Sequence, residues 1–163
     1  MTLRFAGLCL AAGVALSQPV SAQKAEKIDS ILVELAMPKA AAMDRVLTGF
    51  ASAGLDVTDN SGSIVESDLG AKNNALTGAN YRRSVRALVM AKDSTATRIL
   101  LTGIEARDDN GRVFKRMRID NRAGGNGEKV WCQLVAVAVS LDSTQVSPDA
   151  RKAAKCAERL KAK

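Results

Sequence analysis

The sequence has no histidine, and aromatic residues make up only 3% of its 163 positions. The first absence removes Ser-His-Asp and Cys-His machinery, His-ligated zinc and haem, and the commonest general base at neutral pH. The second leaves one Trp, one Tyr and three Phe, too little stacking material for a nucleic-acid platform. No Gly-x-Ser-x-Gly, Cys-x-x-Cys or P-loop pattern occurs, so neither an enzyme nor a cofactor or metal site is expected. Against these absences stand 47% apolar residues and 24 Lys+Arg facing 17 Asp+Glu, a net charge of +7. That composition fits one folded domain.

Residues 1–22 read as a secretory signal peptide. Arg4 gives the basic start, Phe5 to Leu16 the apolar stretch, and Val20-Ser21-Ala22 a small-x-small site that sets cleavage between Ala22 and Gln23. The stretch is about 12 residues, against roughly 20 for a bilayer-spanning helix. Cys9 follows Gly7-Leu8, not the small residue that a lipid-modified cysteine needs. Cleavage removes 22 residues, Arg4 among them, leaving 141 with the net charge lowered from +7 to +6. A soluble chain in the periplasm or outside the cell is expected.

Cleavage also removes Cys9 and leaves Cys132 and Cys156 as a pair in an oxidising compartment, so a disulfide is expected between them.

Ile31, Val33, Leu35 and Met37 alternate with outward residues as in a strand. A helix over 38–53 follows, opened by Pro38, with Met43, Val46, Leu47 and Phe50 on one face and Gly54 at its end. Leu55 to Thr58 and Ser63 to Glu66 flank the turn-like Asp59-Asn60-Ser61-Gly62, and residues 68–80 read as an exposed loop. Val85, Ala87, Val89 and Ala91 mark the next strand. A turn at Asp93-Ser94-Thr95 leads to Thr97 to Arg107, and Asp108-Asp109-Asn110-Gly111 turns into Val113 to Asp120, with Val113, Met117 and Ile119 on the inner parity. Glu128 to Leu141 carries both strand and helix periods. An Asn126/Gly127 start with Glu128 in the first turn favours helix. Ser147-Pro148-Asp149 then caps a Lys/Ala-rich helix to about Leu160.

The order β-α-β-β-β-β-β-α-α predicts an α+β domain: an antiparallel sheet packed on one face by an N-terminal amphipathic helix and a late helix. The division is a signal peptide at 1–22, the α+β domain at 23–146 and a basic C-terminal helix or tail at 147–163. This order, with the alanine-rich helix beginning at Pro38 and its Ala53-Gly54-Leu55-Asp56-Val57 exit, resembles over roughly residues 30–141 the helix-grip domains of the C-subunit of the outer-membrane β-barrel assembly machine. That resemblance implies a helix held against a sheet. Members of that group are usually lipid-anchored, and no lipobox occurs here.

The basic residues cluster by strand parity. Arg82 and Arg86 share one parity, and Arg116 and Arg118 share another, each opposite the apolar side, with Leu88 and Phe114 beside them. Such a face fits an anionic partner; the competing expectation is a solvated face whose arginines pair with Asp120 and Glu105. The tail sets Arg151, Lys152, Lys155, Arg159, Lys161 and Lys163 against Asp149 and Glu158, a candidate for membrane-surface contact. The chain is thus expected to be a non-enzymatic binding or accessory domain. It would meet an acidic envelope protein through the sheet face and the 68–80 loop. The alternative is a small-molecule or lipid carrier with a cavity between helix and sheet.

Overall fold

The computed structural model describes residues 27–73, 80–109, 112–152 and 156, with the backbone alone at 71–73, 108, 109, 112–115 and 152. The signal-peptide expectation for 1–22 and the tail beyond Lys152, apart from Cys156, lie outside the described residues. The elements are β1 (Ile31–Leu35), α1 (Lys39–Ser52), β2 (Asp59–Ser61), β3 (Ile64–Asn73), β4 (Asn80–Ala91), β5 (Thr97–Asp109), β6 (Arg112–Ile119), α2 (Asn126–Asp142), a 3-10 turn (Ser143–Gln145) and α3 (Pro148–Lys152). This is the expected order.

The strands form one antiparallel sheet, with β5 paired to β4 along one side. Its other side is shared: Thr97 to Leu101 pair with β1, and Gly103 to Asp109 with β6. At the handover Asn121, 6% exposed, accepts from the Ile28 N–H through Oδ1 (3.0 Å) and donates its own N–H to the Ile28 carbonyl (2.8 Å). Two short strands are thereby joined into one long edge.

Period-2 alternation gives the sheet one apolar side, carried by the odd-numbered residues of β1, β4 and β5. Val33, Val85, Val89, Ile99 and Leu101 on that side are fully buried. They meet Val46 and Phe50 of α1 and Val130, Leu134 and Val137 of α2 in a single core. Helix α2 shows both periods in its sequence because its apolar surface is wide: Trp131, Cys132, Val135, Ala138 and Leu141 are buried as well. Cys132 is bonded to Cys156 with Cα atoms 5.1 Å apart. The Trp131 indole donates to the Ala150 carbonyl (3.1 Å), and Ser147 Oγ caps α3 by accepting from the Ala150 N–H (3.1 Å).

Several local expectations change. Pro38 has ψ 155° and precedes α1 instead of starting it; the ring fixes φ alone. The buried face of α1 is Ala42, Val46, Gly49 and Phe50, with Met43 and Leu47 only partly covered. The helix is rotated toward α2, where a Cβ on Gly49 would lie 2.7 Å from Ser140 Oγ. Helix α2 does start at Asn126 with Glu128 in its first turn, but it is preceded by Gly125 (φ 59°) and has no side-chain cap. The hairpin turns at Gly62 (φ 60°), leaving Asp59–Ser61 in β2. Residues 68–73 and Asn80 are strand, paired across to β4 or β3, while 74–79 lie outside the described residues. A bulge there, with Gly70 at φ 82° and its N–H bonded to Asp68 Oδ1 (2.8 Å), explains the loop-like sequence. Of the three residues expected inward on β6, Ile119 is shown buried, whereas Met117, opposite Glu105 in the register, stands 42% exposed.

Candidate binding face

The described even-numbered side chains of β4, β5 and β6 point away from the helices, and the register aligns them in rows across the sheet. One row is apolar: Ile64, Leu88, Leu100 and Leu32 are successive Cα partners. The next holds Glu66, Arg86 and Thr102; beyond it come Asp68, Ser84, Ile104 and Arg118, then Arg82, Ala106 and Arg116. Arg82, Arg86, Arg116 and Arg118 therefore share one face, as strand parity indicates. Phe114 belongs to β6, and its side chain lies outside the described residues.

The four arginines differ in how firmly they are held. Arg86 donates from Nε and Nη2 to one Glu66 oxygen at 2.8 and 2.5 Å, in a pair that is mostly covered. Thr102, the register partner of Arg86, is buried although it points to the open side. Arg82 only reaches Asp68 at 4.0 Å, and Arg118 reaches Asp29 at 3.6 Å, both pairs exposed. No ion pair to Arg116 is found among the described residues.

Two depressions lie in this face, of about 360 and 200 Å³, and they meet at Arg86, Ile104 and Arg116. The larger has a floor of Leu88, Leu100, Thr102 and Ile104, with Arg116 and Arg118 at its margin.

The expected pairing with Asp120 and Glu105 is not what forms. Glu105 points to the helix side and takes Arg83 (2.6 Å), while Asp120 takes Lys27 (3.7 Å). Among the described residues, Glu66, Asp68 and Glu34 are strand acids on the open side, and Asp29 meets it at Arg118; the sequence pattern had not singled out Glu66, Asp68 and Glu34, nor Leu100 and Ile104, although all five sit on even positions. At the β1 end, Glu34 accepts from Lys92 Nζ (2.9 Å) and Arg98 Nε (2.6 Å), and the first of these chiefly, then the second, holds its carboxyl below the usual range.

On the helix side, the contact of α1 with the sheet is filled by Val46, Phe50, Val65 and Val85, each fully buried. An open cleft of about 240 Å³ lies between the start of α2 and the β3 bulge, lined by Leu69, Arg83 and Lys129 among others, and there Arg83 is committed to Glu105. No group of three or more metal-binding side chains occurs among the described residues, and no helix there is long and apolar enough to cross a membrane. A scan against protein-family models finds no match to this chain, and a search of curated proteins finds none either.

Proposed function

We propose that this chain is an exported, non-enzymatic binding domain that docks an acidic envelope protein on the open face of its sheet. The observation that carries this reading is the larger depression, where an apolar floor is flanked by two loosely held arginines on a sheet face that none of the described helices covers. Exposed side chains that are not engaged within the domain are free to be engaged outside it, and arginine is well suited to carboxylates. The filled contact between α1 and the sheet supports docking over a carrier, which needs a cavity there.

The test is capture from envelope extract with three proteins: the mature chain, an Arg116→Glu/Arg118→Glu variant, and Arg151→Glu as a charge control on α3. Capture that falls with salt, is abolished in the double variant and persists in the control supports the interface. Equal capture by all three sinks it. The double variant's unfolding free energy should stay within about 0.5 kcal/mol of wild type, as at exposed positions generally.

A further inference from the structure

Building on that reading of the open face, we infer that its ligand is a single extended peptide segment in which acidic and apolar residues alternate, laid along β5 and β6. Arg116 and Arg118 are two residues apart on one strand, so their Cα atoms are separated by roughly 6.7 Å, the repeat of same-side residues in any extended chain. Carboxylates at i and i+2 of an extended ligand match that spacing. The same ligand's opposite side would carry its apolar residues, and Ile104, the register partner of Arg118, with Leu100 four residues further along β5, receives them.

The acids on the face decide how wide the ligand is. Glu66 and Asp68 lie on β3, and Glu34 lies toward the far end on β1. With strands about 4.8 Å apart, the β3 and β6 backbones are separated by roughly 14 Å. Glu66 and Asp68 share the smaller depression with Arg116, but each faces an arginine of β4, so a ligand one strand wide along β5 and β6 meets the β6 arginines with the β3 acids already partnered. A uniformly anionic membrane would press against arginines and acids together. Asp29, on Arg118 at 3.6 Å in an exposed pair, is displaced at little cost because such pairs are weak; Arg116 needs no displacement at all.

The probe is a short synthetic peptide alternating Glu and Leu, titrated calorimetrically into the mature chain beside its Gln-for-Glu version, poly-Glu, and phosphatidylglycerol vesicles. The expected result is saturable binding of the alternating peptide, weakened about tenfold by Arg116→Ala, the loss of one charge-assisted contact. Leu100→Ser should weaken the peptide too, while poly-Glu and vesicles bind less well. The inference is overturned if poly-Glu or vesicles bind as well as the alternating peptide, if Arg116→Ala changes nothing, or if the chain forms a dimer through this face that the peptide does not displace. Extract capture lost in the double variant, together with no binding of the alternating peptide, would leave the docking face standing and remove this ligand from it.

Discussion

The two faces of the sheet are made by alternate residues of the same strands, yet they solve different problems. On the covered face Val33, Val85, Val89, Ile99 and Leu101 have no solvent exposure and lock against two helices. On the open face apolar residues are interleaved with long charged ones that shield one another only in part, as in the Arg86–Glu66 pair. Burial of apolar area dominates folding energetics, whereas exposed ion pairs contribute little. Stability therefore resides mainly on one side of the sheet, and the other side is under no such constraint.

The sharpest way to break that comparison is to damage the covered face. Phe50→Ala empties a fully buried site in α1 and should cost about 3–5 kcal/mol in urea unfolding. A loss below about 1 kcal/mol would mean that α1 is not a main source of stability. Next comes the bond between Cys132 and Cys156, 24 residues apart. Replacing both with Ser should cost roughly 3 kcal/mol, the effect of freeing a loop of that length in the unfolded chain. An unchanged midpoint would show that α3 and its attachment are incidental to the core.

A third substitution separates contact from propensity. Alanine at Gly49 brings its Cβ to 2.7 Å from Ser140 Oγ, while the neighbouring Val137 and Leu141 atoms stay at ordinary distance. Gly49→Ala alone should be neutral or destabilising by about 1 kcal/mol, because helix propensity gains up to about 1 kcal/mol and the clash opposes it. In a Ser140→Ala background the clash is gone, so the same change should stabilise. Identical effects in both backgrounds would show that the two helices do not meet closely at Gly49.

Element order was legible because periodicity is strong in β1, α1, β4 and β5, and the shared face of the four arginines followed from parity alone. Partner choice did not follow. Whether Arg86 meets Glu66 or Glu105 depends on register across two turns, and a slip of one residue sends a side chain to the other face. Residues 68–73 looked like a loop because a bulge recruits the Gly and Asp that loops use. The rotation of α1 was hidden because Gly49 contributes no apolar side chain to a pattern, only the room for α2 to approach.

The smallest effect should come from the open face itself, at Glu34. Its carboxyl is held below its ordinary pKa chiefly by the hydrogen bond from Lys92, then by that from Arg98. A carboxylate with a lower pKa folded than unfolded adds stability above the unfolded value, near pH 4.3, and that addition fades as pH falls through the folded value. Glu34→Gln removes the titration but leaves the backbone bonds of residue 34 to Gln145 in place. Thermal melts from pH 7 down to about pH 3 should therefore show a shallower decline in the variant, and the difference should shrink in high salt because the group is exposed. The decline will not vanish, since Asp93 and Asp142 are lowered as well, mainly by hydrogen bonds from Thr95 and Thr144, and both remain. If instead Glu34→Gln lowered stability at neutral pH as much as Phe50→Ala does, charge on the open face would be holding the fold together and the division between the two faces would fail.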